Sequence, residues 1–318
     1  MSLANIFGLI WNEVSKIYIQ KSTWIMYIFL AVLIIAVAAI TATTDGANKE
    51  YGEDWQEELQ TENEALTEEM QEEEFLVDMN TQKIEMNQYH MDNGIKPVSY
   101  DAWQFVIENA MLSSVISLLT IIVAGGIVAN EFRWGTIKQL LIRPISRTVI
   151  LLSKYIAVLI FALITLAFLL ILSWITGALF FGVAGGNPEL VIRNSEGIAS
   201  VTAIGEVISG YGFKLVNLFM MATFAFMISS IFRNSALAIG MAVFLMMAGT
   251  SIVQFFADKV WSKFILFANT DLTIYDSQIG PVREEMTMGF SIGVLVVYWI
   301  IFILASWLVF TRRDVAGQ

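Results

Sequence analysis

Six long stretches without a single Asp, Glu, Lys, Arg or His constrain this chain more than any other feature: residues 22–44, 109–130, 155–188, 215–232, 234–257 and 286–311. A charge at the middle of a bilayer costs at least ~2.5–3.5 kcal/mol, so charge-free apolar runs mark membrane spans. Each run has 18 residues or more, the length a helix needs to cross ~30 Å of hydrocarbon. Lipid offers no water to backbone groups, which makes helix the expected conformation for runs this long. Strands of a membrane barrel would be ~10 residues each with strict alternation, a pattern absent here. The fold expected is therefore an all-α integral membrane protein with six transmembrane helices.

Composition agrees. Hydrophobic residues make up 57% of the 318 positions and charged residues 15%, against ~45–50% and ~25% in soluble proteins. The run at 155–188 exceeds one span, and its tail Gly182-Val183-Ala184-Gly185-Gly186-Asn187-Pro188 reads as a turn-rich exit, so the helix is expected to end near Phe181. The short run at 215–232 can begin earlier because Lys214 can snorkel to the interface. All four prolines fall between spans, as expected for uninterrupted helices.

Residues 1–23 do not read as a signal peptide, since Glu13 interrupts them and no small-residue cleavage site follows the apolar run. Leu3, Ile6, Phe7, Ile10, Val14, Ile17 and Tyr18 share one helical face, with Asn12, Glu13, Ser15, Lys16 and Gln20 on the other. This is the pattern of an amphipathic helix, lying on the membrane or packed on the protein's own inner face. The remaining expected segments are a first span at 24–44, an acidic helical domain at 45–107, a second span at 108–130, a connector at 131–148, and four further spans within 149–318 separated by outer loops near 182–210 and 257–287.

Charge sets the expected orientation. The segments on one side hold ten basic and three acidic residues, and those on the other eight basic and 26 acidic. Lys and Arg in short loops mark the cytoplasmic side, so both termini and the 131–154 connector, with five basic residues, are expected inside a bacterial plasma membrane. Trp24, Tyr155 and Trp299 lie near span ends, where aromatic residues anchor at the interface.

Outside, residues 45–107 are crowded with carboxylates, including Glu72-Glu73-Glu74. Trp55, Leu59, Leu66, Met70, Val77, Ile84 and Met91 form an apolar stripe consistent with one long helix or a helical hairpin ending before Asn93-Gly94. Such a surface can gather cations or cationic peptides by its field, or serve simply as a solvated face. Residues 257–287 mix Trp261 and Phe264 with Asp258 and Lys263, as in a segment that re-enters or lies along the membrane.

Several chemistries are excluded or lack a signature. With no cysteine and one histidine, His90, thiolate sites and His-cluster metal sites cannot form within one chain. No GxxxxGK[ST] or HExxH sequence occurs, and no domain is strongly basic, so ATP binding, zinc-peptidase chemistry of that type and nucleic-acid binding are not expected of this chain. The six charge-free runs also offer no proton relay of the kind coupled transporters bury. If the chain transports a solute, the energy must come from another subunit.

The connector reads Glu131-Phe132-Arg133-Trp134-Gly135-Thr136-Ile137-Lys138-Gln139-Leu140-Leu141-Ile142-Arg143-Pro144-Ile145-Ser146-Arg147, with Lys154 a little further on. Here the chain resembles the membrane subunits of ATP-binding-cassette (ABC) transporters of the type-2 exporter class, whose connector follows approximately E-x3-G-T-[LIM]-x2-L-L-x2-P-[VI]-S-R and then a lysine. The layout of an amphipathic N-terminal helix followed by six spans is similar as well.

The resemblance implies that the connector is a cytoplasmic coupling helix docking on a separate ATPase subunit, which would hold ATP and magnesium. This chain would then be a non-catalytic permease with no cofactor or metal of its own. It would pair with a second permease, identical or homologous, in membrane lipid. The residues suit that role: Glu131, Arg133, Lys138, Arg143 and Arg147 can meet a partner's charges, and Ile137, Leu140 and Leu141 offer an apolar ridge. Gly135 and Thr136 permit a bend, Pro144 ends the helix, and Ser146 can cap the next one.

Asn217, Thr223, Ser229, Thr250 and Gln254 are polar residues within spans that can line a path or bond between helices. An uncharged lining suits amphipathic cargo such as a peptide antibiotic, a drug or a lipid-like molecule. Sodium export is the alternative within the class. A membrane-anchored sensor using the acidic domain is the alternative outside it.

Overall fold

The computed structural model describes residues 3–44, 49–136, 145–232, 234–277 and 280–312. It is a multi-pass membrane protein, and mostly helical. Among the described residues six helical stretches are long and apolar enough to cross a membrane: Lys21–Thr41, Ala102–Arg133, Arg147–Phe181, Ala203–Phe232, Ser235–Phe255 and Met288–Arg312.

The first elements are helices α1 (Leu3–Ile19), α2 (Lys21–Thr41), α3 (Trp55–Glu72) and α4 (Val77–Asn93). The second span is built from three pieces, α5 (Ala102–Asn109), α6 (Ser113–Ile127) and α7 (Ala129–Arg133), with a 3-10 turn at Ala110–Leu112 between the first two. There follow α8 (Arg147–Phe181), strands β1 (Glu189–Asn194) and β2 (Gly197–Thr202), then α9 (Ala203–Phe232), α10 (Ser235–Phe255) and α11 (Met288–Arg312).

Local chemistry places the helix ends. Ser146 caps α8, its Oγ accepting from the Val149 amide at 3.4 Å. Asn234 caps α10, its side-chain oxygen accepting from the Ala236 and Leu237 amides. Asp101 is 2% exposed and joins two helices. One of its oxygens accepts from the Trp103 and Gln104 amides at the start of α5, and the other from the Ala184 amide just past α8. A Cβ on Gly177 of α8 would stand 2.9 Å from the Ala102 backbone, so glycine is what lets α5 lie this close. Lys214 is preceded by three helical turns of α9, which starts at Ala203, ahead of the charge-free run.

The core falls into layers along the bundle. Near the 131–147 connector, α6, α8, α9, α10 and α11 pack around residues such as Val158, Met221, Phe226 and Phe302. Towards the opposite end, α2, α5, α6, α8 and α9 enclose Phe105, Ile116, Leu169 and Leu218. Tyr155 is buried in this interior, at 7% exposure. The Trp299 indole donates to the Tyr155 hydroxyl at 2.9 Å, which lies 2.9 Å from the Thr223 hydroxyl, itself donating to Phe219 O. Each hydroxyl has one proton, so the chain runs from α11 through α8 to α9. Of the three aromatic residues expected as anchors, Trp24 and Trp299 are exposed, at 58% and 42%.

At the end away from the connector, the acidic segment is a helical hairpin. The chain bends at Glu73, and α4 stops at Gly94, whose φ of 63° is the left-handed conformation glycine adopts without strain. Leu59 and Leu66 of the apolar stripe are buried between the helices, whereas Val77 sits exposed at the turn. Asn87 donates to Asn63 across the pair at 2.8 Å, and Lys49 and Lys83 converge on Glu62 at 2.7 and 2.6 Å.

One element departs from expectation. The segment at 182–210 holds an antiparallel β-hairpin, paired from Glu189↔Thr202 to Asn194↔Gly197. The segment between α10 and α11 folds back as 3-10 turns, so that a Cβ on Gly249 would meet the Phe267 ring at 2.3 Å.

Candidate functional site: a buried ion clasp at the connector

Lys154 is fully buried, at 0% exposure, seven residues into α8. At 1.5 Å per residue this is about 10 Å along a helix some 52 Å long, whose length exceeds the ~30 Å apolar slab. An ammonium taken out of water requires compensation by charge and hydrogen bonds. Lys154 finds it in Glu13 of α1 at 2.7 Å and Glu131 of α7 at 2.6 Å. Lys16 completes the group, 2.5 Å from Glu13 and 3.5 Å from Glu131. Two carboxylates thus meet two ammonium groups, and three chain segments far apart in sequence are clasped by one lysine.

The clasp changes the reading of the N-terminal helix. Glu13, expected on the polar outer face, is 5% exposed and faces the protein, while Phe7 and Trp11 are 69% and 73% exposed. The helix is turned so that its acid reaches Lys154, and Val14 and Ile17 pack with Tyr27, Ala157 and Phe161. Beside them, Tyr18 and Tyr27 share a 2.9 Å hydrogen bond, and Tyr27 another with Thr165 of α8. Burial alone would raise the Glu13 carboxyl, but the Lys154 and Lys16 ammoniums outweigh it and hold it below the ordinary carboxylate range. Lys154 is likewise an interior group of the protein.

Both ends of the connector are fixed to the bundle. At the first, the Ala129 amide donates to Ser229 of α9 at 3.1 Å, and Glu131 enters the clasp. At the second, Arg147 donates to Thr311 O at the end of α11 at 3.0 Å. Between them the chain emerges: Arg133, Trp134, Gly135 and Thr136 are exposed, Trp134 at 64%. Gly135 has φ 71°, a conformation that strains any residue bearing a Cβ. The rest of the expected coupling set, Ile137, Lys138, Leu140, Leu141, Arg143 and Pro144, lies outside the described residues.

A cavity of about 280 Å³ adjoins the clasp, lined by Glu13, Lys16, Asn130 and Glu131 with Trp134 and Ile239. The second carboxylate oxygen of Glu131 is buried without a hydrogen-bond partner, a cost of ~1–3 kcal/mol for a buried acceptor. No nucleophile stands in this group; its chemistry is mutual neutralisation, which fixes geometry.

The expected path residues are not brought together. Thr223 and Ser229 are buried and committed to bonds between helices. Asn217 is half-buried on α9, and Thr250 and Gln254 are exposed on α10. Sequence reasoning missed Glu13 and Lys16 as site residues and passed over Trp134. The signal for the first was an acid in an otherwise apolar helix opposite a connector motif that ends in lysine.

The family described as "Protein of unknown function (DUF2705)" matches residues 70–316, and the chain belongs to it. The chain is 40% identical over 315 residues to "Uncharacterized protein YhcI" of Bacillus subtilis (strain 168), covering 98% of this chain and 99% of the relative. It is 35% identical over 206 residues to "Uncharacterized membrane protein YdbK" of the same organism, covering 64% of this chain and 79% of that protein.

Proposed function

We propose that this member of the family is the permease subunit of an ABC exporter, driven by a separate ATPase that docks on the 131–147 connector. The observation that carries the reading is the clasp: Lys154, Glu131 and Glu13 tie the start of the connector, the helix after it and the N-terminal helix into one buried group. A segment anchored at both ends, with residues 133–136 exposed just past the first anchor, passes a push from a partner into α1, α7 and α8 together. Arg133 and Trp134 supply a charge and an aromatic surface for that partner, a pairing enriched at interface hot spots.

The basic residues of the connector side orient it, with both termini, toward the cytoplasm of a bacterial cell. ATP and magnesium belong to the partner, and this chain is a non-catalytic subunit. On α10, Thr250, Ser251 and Gln254 are exposed among apolar residues. Polar groups are costly against lipid, which favours a second permease, identical or homologous, covering that face and sharing the translocation path. Amphipathic cargo suits an uncharged path.

The test is purification from native membranes in mild detergent. An ATPase chain bearing GxxxxGK[ST] should accompany this protein, and Arg133→Ala with Trp134→Ala should release it while all six spans stay inserted. Recovery of this protein without any such chain would contradict the reading.

A further inference from the structure

At the end of the bundle opposite the clasp, α4, the stretch after Gly94, α5 and β1 enclose a cavity of about 300 Å³. That is the lower end of the range for small-molecule sites. Tyr51 lines it as well, and Arg193 of β1 pairs with Glu85 of α4 to join two of these walls. The body of the cavity is apolar, with Met86, Val98, Ile107 and Leu190 among its lining.

Its polar lining mixes groups that can donate, on Tyr51, Lys83, Asn87 and Gln104, with anionic and ring acceptors. Glu108 and Glu189 contribute carboxylates. The His90 ring lies 2.7 Å through Nδ1 from the Ile95 carbonyl; a carbonyl only accepts, so Nδ1 carries the proton and Nε2 of the neutral ring is left as an acceptor. Burial favours that neutral ring by holding His90 below its ordinary range, against the opposing pull of the Ile95 carbonyl. Lys83, the one cation in the lining, is paired with Glu62 at 2.6 Å. The neighbouring α3 carries seven glutamates and no lysine or arginine, a field that concentrates cations near the opening.

We propose that this cavity binds an amphiphilic organic cation, its ammonium received by Glu108 and Glu189 and its apolar body by Met86, Val98, Ile107 and Leu190. An ammonium has three donors and no acceptor, which matches the Glu108 and Glu189 carboxylates and the Nε2 acceptor of His90. The site is built from this chain alone and does not depend on an ATPase partner.

The test uses the purified full chain in phosphatidylcholine nanodiscs, titrated with dansylcadaverine, a primary ammonium on an apolar fluorophore. Saturable binding is expected, about tenfold or more weaker in the Glu108→Gln, Glu189→Gln double variant. Val98→Trp, which fills the cavity and leaves every charge in place, should also weaken it. Glu64→Gln with Glu68→Gln removes two exposed charges of α3 outside the cavity and should change affinity less than about twofold. Absence of saturable binding, or equal weakening by the two charge pairs, would overturn the proposal.

Discussion

At one end of the bundle Lys154 is wholly buried between two carboxylates, whereas at the other Glu57, Glu64 and Glu68 stand in the open on α3. The buried group is neutral as a whole and holds three helices in one arrangement. The exposed carboxylates order nothing comparable, but they set the field met by whatever approaches that end. Charge therefore serves position in one place and attraction in the other. The two uses differ in how strongly they respond to substitution, acid and salt.

The largest contrast is expected from a pair of lysine-to-methionine changes. Lys154→Met leaves Glu13 and Glu131 buried without their shared cation, which should cost ~3–5 kcal/mol in thermal unfolding of the detergent-solubilised protein. Adding Glu13→Gln and Glu131→Gln should restore part of that loss. Lys83→Met breaks a pair whose lysine is 54% exposed and should cost no more than ~1 kcal/mol. Equal losses at the two sites would erase the distinction between the ends.

A smaller effect concerns pH. The Glu13 carboxyl is held below its ordinary value of 4.5, so its contribution to stability is complete above that value and is lost as pH falls through the lower folded value. Unfolding curves from pH 7 down to pH 3 should show this loss, and Glu13→Gln should flatten the dependence in that window. An unchanged slope in the variant would remove Glu13 from the clasp.

Much of the architecture is legible in the sequence because lipid imposes a simple rule. Charge-free runs became helices, Ser146 capped the helix after the connector, and Gly94 ended the acidic segment. The clasp was hidden for a physical reason. An amphipathic pattern assigns charges to the outer face, and an acid turned inward toward a lysine 141 positions away leaves no local trace. Tyr155 was open to two readings in the same way, since an aromatic group with a polar tip suits an interface as well as a buried hydrogen-bond chain. The β-hairpin at 189–202 rests on the short run Leu190-Val191-Ile192 with a turn before Gly197 (φ 123°), too brief a signal beside the long apolar helices. The connector motif was the most readable part of the candidate site. Its ends proved to be anchored by residues outside the motif, Glu13, Ser229 and Thr311.

The most direct measurement is ATP hydrolysis by the complex purified through this chain and returned to lipid. The account predicts hydrolysis in the native complex and loss of at least about tenfold when Lys154→Met frees the connector from the helices it should move, with the ATPase chain still bound, an effect of roughly 1.4 kcal/mol or more on the coupled step. Unchanged hydrolysis with the clasp broken, or a native preparation with no ATPase activity, would contradict it.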